Sequence, residues 1–202
     1  EQIGRLPVGD RVDLLLGHAQ LAARLAVLRV HELAADGPAR SGLAELAQDS
    51  FGADRPVHDA LLALSRTIHR DFLFDAQSTY VGRSVLEVLD DRRGVCQDFA
   101  HLMIATVRSL GLPAMYVSGY LLTRPPPGQE RLVGADASHA WVSAYVPDFG
   151  WIELDPTNDC IAGEHHATVA FGRDYDDVCP VRGVIQGGGE QRMTVEVDVV
   201  EA

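Results

Sequence analysis

Three side chains in the second half of the sequence could together carry out nucleophilic acyl transfer: Cys96, His139 and Asp155. In such a reaction a thiolate attacks a carbonyl carbon, an imidazole takes up and returns a proton, and a carboxylate holds the imidazole in one tautomer. Three residues spread over about sixty positions can share these types by chance. Support for this hypothesis therefore depends on the secondary-structure elements that position the three residues.

Cys96 follows a predicted glycine turn at Gly94 and opens a predicted helix that ends before Gly111. The apolar stripe of this helix recurs at steps of three and four residues and comprises Phe99, Met103, Val107 and Leu110. Unpaired backbone N–H groups and the positive end of the helix dipole favour a thiolate at the helix start. They could also supply one donor of an oxyanion hole. The alternative for a single free cysteine is a small buried apolar residue.

Two predicted strands carry the other two residues. His139 opens the first strand and Asp155 closes the second, and a cluster of turn residues around Pro147 joins them into a β-hairpin. With the turn centred on Pro147, His139 lies opposite Asp155. Trp141 then faces Glu153, and the imidazole and the carboxylate share one side of the sheet. A register slip of one residue would separate them.

The remaining elements divide the chain into a helical part, 1–83, and a core, 84–202, within one compact domain. Predicted helices cover Val12–Leu33, Leu43–Asp49 and Val57–Phe72, and a capping box of Ser84 and Glu87 begins a further short helix. Other predicted strands cover Met115–Thr123, Thr168–Phe171, Cys179–Ile185 and Met193–Val200. A proline-containing loop from Arg124 to Ser138 has the length of a functional lid.

Five segments resemble, in matching order, the core of the bacterial transglutaminase-like superfamily: 94–100, 108–114, 117–120, 139–142 and 151–157. The segments 172–177 and 180–183 are similar to the C-terminal extension of the same bacterial subgroup. The resemblance implies an α+β, papain-like fold with the nucleophile helix packed on an antiparallel sheet. It also implies that Cys96 is the nucleophile, His139 the base and acid, and Asp155 the orienting carboxylate. Family members often carry a β-rich N-terminal region, and the helical pattern of residues 1–83 predicts none in this sequence.

The activity that this resemblance implies is cysteine-dependent acyl transfer on the amide bond of a peptide or protein. Water would resolve the thioester intermediate to give amidase or protease activity, and a second amine substrate would give transamidation; the residues leave both outcomes open. No cofactor and no metal are required. The second oxyanion donor is unassigned, with Gln97, Tyr80 and Trp141 as candidates.

Two alternatives belong to other functional classes. One is a non-catalytic binding module on the same scaffold, which would be favoured by a broken triad. The other is a metal-dependent hydrolase that uses His165, His166 and Cys160, although their spacing is not typical of a zinc site. His165 and His166 could instead approach the acyl-transfer site. Two further polar residues on the cysteine helix have structural interpretations: Asp98 as a capping acid and His101 as a packing residue.

Composition narrows the choice of partners and compartment. A net charge of −12 argues against nucleic acid, which requires clustered Lys and Arg. No apolar run approaches the roughly 20 residues that span a bilayer. Three cysteines at wide spacings form a poor disulfide framework and predict a cytoplasmic location. Because the sequence begins with Glu1, a signal or an upstream domain could have been removed.

Overall fold

The computed structural model describes residues 38–52, 54–80, 83–122, 138–147, 149–181, 183, 186 and 197–199. Three predictions fall wholly or mostly outside these ranges: the helix Val12–Leu33, the loop from Arg124 to Ser138 with its function as a lid, and the final strand Met193–Val200. The other predicted elements can be compared with the structure.

Within the described residues, four helices precede the main sheet: α1 Pro38–Gln48, α2 Val57–Asp71, α3 Val85–Asp91 and α4 Cys96–Ser109. The starts of α2 and α3 are marked by residues next to each helix in the sequence. Pro56 precedes α2 as its N-cap residue, and Ser84 begins α3 with the predicted capping box. In that box the Glu87 N–H donates to Ser84 Oγ over 3.3 Å, and the Ser84 N–H donates to Glu87 Oε2 over 2.8 Å.

Helix α4 forms the centre of the core, and three of its four predicted stripe residues are buried: Phe99, Met103 and Val107. The prediction for Leu110 is wrong, because this side chain is 41% exposed. Leu110 is the C-cap residue of α4, where the backbone has already left the helical path. Gly111 follows with φ of +80°, the left-handed conformation that ends a helix most easily at glycine.

A short parallel pair of strands, β1 Leu73–Phe74 after α2 and β2 Arg93–Gly94 directly before α4, is not predicted from the sequence. The predicted glycine turn at Gly94 is therefore wrong, since this residue is part of β2. Glycine is needed there for close packing instead. A Cβ atom on Gly94 would lie 2.7 Å from Asp98 Cβ, so a side chain would push the first turn of α4 away from β2.

In the part of the chain that the structure describes, the main sheet has five antiparallel strands: β3 Ala114–Leu121, β4 Ser138–Val146, β5 Gly150–Asp155, β6 Cys160–Ile161 and β7 His166–Gly172. Their order is β6-β5-β4-β3-β7, so β4 lies in the middle. After β7, the Asp174 side chain accepts the Asp177 N–H and starts the short helix α5, Tyr175–Val178. The described residues 179–181 are not in a strand, contrary to the prediction for that segment.

The hydrophobic core lies between the helices and one face of this sheet. Helix α4 contacts both β3 and β4. The sheet contributes alternate residues of its two central hairpin strands, namely Ala140, Val142, Ala144, Ile152 and Leu154. Helices packed on an antiparallel sheet make this an α+β fold, as predicted. The boundary between 1–83 and 84–202 stays a prediction, and α2 shares the core cluster with α4.

Gly119 lies where the pairing of β3 with β7 shifts register, between Ser118 and Gly119. A Cβ atom at this position would overlap the backbone oxygen of Ala167 and the ring of Trp141. We expect Gly119→Ala to lower the free energy of unfolding by about 1–3 kcal/mol, because neither neighbour can move without disturbing the sheet. Urea denaturation measures this change.

The matched control for this prediction is Gly52→Ala. No atom lies within 4 Å of a Cβ built at Gly52, and we expect this variant to stay within about 0.5 kcal/mol of the wild type. Equal urea midpoints for the two variants would contradict the packing explanation.

Candidate active site

The first turn of α4, which carries Cys96, is fixed by a buried carboxylate. Asp98 Oδ2 accepts the Val95 N–H over 2.9 Å, which confirms the predicted capping acid. The Arg83 side chain, which is 2% exposed, brings its guanidinium to 3.9 Å from the same oxygen. Arg83 also donates to the Arg93 backbone oxygen over 2.9 Å. The backbone on either side of Cys96 is thus held in place from two directions.

His139 and Asp155 come from the predicted hairpin, but in a different register. Val142 pairs with Leu154, and Val146 pairs with Gly150, so the turn is centred one residue later than predicted. The reason lies in the turn itself, since Gly150 adopts φ of +100° and opens β5. His139 is therefore not directly opposite Asp155. The shift moves each partner by two positions, however, and this keeps both side chains on the same side of the sheet.

The structure brings the three sequence-predicted residues together as a series from Cys96 through His139 to Asp155. His139 Nε2 lies 2.7 Å from Asp155 Oδ2, and the Cys96 side chain is near enough to the His139 ring to raise its pKa. Because Nε2 is engaged by Asp155, Nδ1 is the ring nitrogen left for the thiol. Burial lowers the pKa of His139, but its interactions with Asp155 and Cys96, with the charges of both groups, raise it to about 9. His139 is therefore an imidazolium near neutral pH.

Asp155 is fully buried and accepts five hydrogen bonds. Oδ1 accepts the backbone N–H groups of Thr157 and Asn158 over 2.9 and 3.1 Å. Oδ2 contacts His139, the Asn158 side-chain amide at 2.7 Å and His166 Nε2 at 3.1 Å. Burial raises the pKa of this carboxyl, but the hydrogen bond and charge of His139 and the other donors outweigh it and lower the pKa to about 2. Asp155 is thus an anion at every pH at which the protein would work.

Trp141 forms a wall of the site. It is fully buried, and its ring stacks on His139 at a centroid distance of 6.0 Å and meets His166 edge-on at 5.1 Å. The indole N–H donates to Glu153 Oε2 over 2.6 Å, so the predicted Trp141–Glu153 contact is present. Because this N–H already has a partner, the geometry does not favour Trp141 as an oxyanion donor.

The other two candidate oxyanion donors differ in their surroundings. The Tyr80 hydroxyl donates to Glu87 Oε1 over 2.5 Å at the start of α3, and its side chain is 58% exposed. Gln97 is the second residue of α4, adjacent to Cys96 and partly buried. Gln97 and the backbone N–H groups of the first helical turn therefore stay the better placed candidates.

The sequence did not predict a role for Asn158, and it left open that His166 approaches the site without naming Asp155 as its partner. Asn158 had a local signal, because a polar residue three positions after an Asp-Pro step often folds back onto the aspartate. His166 had none, since its approach depends on β7 pairing with β3. His101 does pack as predicted: its Nε2 accepts the Tyr175 N–H over 3.2 Å.

The metal hypothesis is changed by the structure. Within the described residues, the side chains whose ligand atoms all lie within 4.8 Å of one another are His139, Asp155 and His166, rather than the predicted set of His165, His166 and Cys160. His165 is exposed. The group that could hold a cation thus shares His139 and Asp155 with the predicted acyl-transfer residues. Separately, none of the helices in the described part of the chain is long and apolar enough to cross a membrane.

The family follows from a match over the same elements. Residues 44–156, more than half of the chain, match the model of the transglutaminase-like superfamily. The chain belongs to this superfamily. The match runs from α1 to the end of β5 and includes Cys96, His139 and Asp155, and it confirms the resemblance and the fold expected from the sequence motifs.

Relatives in this superfamily include proteins of known and unknown activity. The chain is 48% identical over 161 residues to an uncharacterised protein of Mycobacterium tuberculosis, a match that covers 77% of this chain and 51% of that protein. The chain thus spans about half the length of the mycobacterial relatives it matches. It is 33% identical over 97 residues to a protein-glutamine gamma-glutamyltransferase of Pseudomonas aeruginosa, covering 46% of this chain and 14% of that enzyme.

One solved structure has a fold similar to that of this chain. It is the crystal structure of a protein from Cytophaga hutchinsonii that is proposed to be a cysteine protease, with a TM-score of 0.56 and 33% sequence identity. The similarity covers 68% of this chain and 44% of that one.

The environment of His139 predicts how stability depends on pH. Because its pKa rises from an ordinary value near 6.5 to about 9 on folding, protonation of His139 favours the folded state. This stabilisation is complete below about pH 6.5 and is lost as the pH rises through about 9. We therefore expect His139→Gln to lower the free energy of unfolding most below pH 6.5, and progressively less towards pH 9.5. Chemical denaturation across this range measures the difference.

The control variant is His165→Gln, which changes an exposed imidazole next to the site. We expect its difference from the wild type to be small and independent of pH. A stability difference for His139→Gln that stays constant from pH 6 to 9.5 would contradict the imidazolium assignment.

Proposed function

We propose that this chain is a cysteine-dependent enzyme that transfers the acyl group of an amide to water or to an amine through a thioester. The single observation that carries the proposal is the series from Cys96 through His139 to the buried Asp155, in which His139 Nε2 lies 2.7 Å from Asp155 Oδ2 and the sulfur lies at a helix N-terminus. Membership of the transglutaminase-like superfamily supports the same general kind of activity.

The geometry supports the following steps. The Cys96 thiolate attacks the carbonyl carbon of the amide, and N–H groups at the start of α4 stabilise the oxyanion. As the C–N bond breaks, the His139 imidazolium gives its proton to the departing amine, and a thioester remains on sulfur. Neutral His139 then takes a proton from water or from a second amine as that molecule attacks the thioester. The thiolate leaves, and an acid or a new amide is released. Asp155 keeps the ring oriented throughout.

Peptide or protein amides are the proposed substrates. The Pseudomonas aeruginosa relative is named for transfer of the gamma-glutamyl group of protein glutamine, and the Cytophaga hutchinsonii neighbour is proposed to be a protease. Hydrolysis and transamidation share every step up to the thioester, so both stay within the proposal. None of the steps above needs a cofactor. The cytoplasmic location also stays a prediction; the three cysteines, all of them described, are free thiols.

Selective alkylation tests whether Cys96 is an activated nucleophile. We expect iodoacetamide near neutral pH to modify Cys96 faster than the other two cysteines, by about tenfold or more. Cys160 is an internal reference, because burial and the charges of Asp155 and Asp159 raise its pKa and keep it a thiol. Peptide mapping by mass spectrometry after timed exposure gives the three rates. Equal rates at Cys96 and Cys160 would contradict the proposal.

Substitution of the triad tests turnover itself. With a glutamine-containing peptide as substrate and hydroxylamine as the amine, we expect Cys96→Ala to lower turnover by at least about a thousandfold, and Asp155→Asn by about a hundredfold or more. Chromatography of the products distinguishes the acid, which indicates hydrolysis, from the hydroxamate, which indicates transfer to an amine. The matched control is Cys179→Ala, outside the series, which should retain activity.

Two results would favour the alternative functions. Full activity of Cys96→Ala together with loss of activity in the presence of a chelator would support a metal-dependent hydrolase. Peptide binding without turnover, at unchanged affinity in Cys96→Ala, would support a binding module.

A further inference from the structure

His166 lies against the same carboxylate as His139 but from another strand. It is the first residue of β7, and its side chain is 8% exposed, in a place where an imidazole has little contact with water. Its Nε2 atom lies 3.1 Å from Asp155 Oδ2, the oxygen that also contacts His139. None of the steps of the acyl-transfer mechanism uses this second imidazole, so its burial at the centre of the site calls for an explanation.

The hydrogen bond on the other side of the ring fixes the tautomer of His166. The Gly163 N–H points at Nδ1 over 3.3 Å. A backbone N–H can only donate, so Nδ1 must offer a lone pair, and the ring proton must be on Nε2. His166 is therefore a donor to Asp155, with its ring set by the short connection between β6 and β7.

This tautomer argues against a cation held by His139, Asp155 and His166, although their ligand atoms lie within 4.8 Å of one another. A neutral histidine that binds a metal through Nε2 carries its proton on Nδ1 and donates it to an acceptor. At His166 a proton on Nδ1 would point at the Gly163 N–H, which is also a donor and cannot accept it. The surroundings of the ring suit a hydrogen-bond donor better than a metal ligand.

The third contact of the ring restricts its position further. Its edge meets the buried Trp141 ring at a centroid distance of 5.1 Å, and the His139 ring stacks on the same indole. Together with Asn158, His166 gives Oδ2 two donors besides His139. The carboxylate is thus held by groups that keep their places while His139 exchanges its proton with the reacting atoms.

We infer that His166 is a positioning residue, which holds the Asp155 carboxylate in the orientation that keeps the His139 ring directed at the Cys96 sulfur. The inference rests on the proposed acyl-transfer function of Cys96, His139 and Asp155. His166 itself does not touch the reacting atoms. Its contribution passes through the carboxylate and should therefore affect the chemical step rather than substrate binding.

Two substitutions separate hydrogen bonding from packing. His166→Leu removes the donor and leaves an apolar side chain of similar size, whereas His166→Gln places an amide N–H near the original Nε2. We expect His166→Leu to lower kcat by about ten- to a hundredfold with KM within about twofold of the wild type. We also expect it to slow alkylation of Cys96 by iodoacetamide at pH 7 to a similar degree. His166→Gln should restore both values to within about threefold of the wild type.

His165→Leu is the matched control, because it removes the exposed neighbouring imidazole and should change neither value. Thermal unfolding of each variant shows whether it folds. Wild-type values of kcat and alkylation rate in His166→Leu would overturn the inference. A defect in His166→Gln as large as that in His166→Leu would also overturn it, because the donor would then not be what matters.

A direct measurement on the native histidine does not depend on any variant at His166. Two-bond 15N–1H correlation NMR of the ¹⁵N-labelled Cys96→Ala protein reports the tautomer of each histidine. A proton on His166 Nε2 supports the inference, and a proton on Nδ1 would overturn it. Titration of the wild type with Zn²⁺ alone gives another decisive result: stoichiometric binding that is lost in His166→Leu would overturn the positioning role in favour of a metal site.

Failure of the proposed function would look different from failure of this inference. If wild-type Cys96 reacts no faster than Cys160, the acyl-transfer proposal fails, and the NMR result still decides whether His166 donates to Asp155. If wild-type Cys96 reacts fast and His166→Leu reacts equally fast, the acyl-transfer proposal stands and the positioning role fails.

Discussion

The structure depends on one costly arrangement, a carboxylate with no access to water. Transferring an unpaired anion into a protein interior is so unfavourable that the group would be protonated instead. Asp155 avoids this because it accepts hydrogen bonds from three parts of the chain. The donors are the His139 ring on β4, the backbone N–H of Thr157 in the turn after β5, and the His166 ring on β7. Three separate parts of the sheet region must therefore be in place before this side chain can be both buried and charged.

The middle strand of the sheet links that requirement to the rest of the fold. On one face of β4, Ala140, Val142 and Ala144 pack in the core shared with α4. On the other face, His139 and Trp141 are equally buried but meet polar partners. Because the two faces alternate along a single strand, any movement of β4 that improved the core would displace the imidazole. The free energy of unfolding and the geometry of the site thus both depend on the position of β4.

Local signals in the sequence were enough for most of the elements. The capping box at Ser84 and the Gly111 stop depend on neighbours within four residues, and both occur as predicted. The family motifs identified the superfamily and the fold, and pointed to the three residues that the structure brings together.

Features that depend on distant partners could not be predicted in the same way. The hairpin register was wrong by two positions because it depends on the conformation of Gly150, which the sequence does not specify. The β1–β2 pair joins residues about twenty positions apart, and its two-residue strands have no periodicity to detect. His166 reaches Asp155 only through the pairing of β7 with β3, so the sequence could suggest that His165 or His166 approaches the site but could not say which of them does or what it contacts.

The separations along the chain also have a consequence for the newly made polypeptide. His139 and Asp155 are 16 residues apart on one hairpin and can meet through local folding, whereas the sulfur arrives only when α4 docks on the sheet. We expect the imidazole–carboxylate pair to form in partly folded chains in which the cysteine is still an ordinary thiol. The reactivity proposed for the sulfur would then depend on the docking of α4 on the sheet.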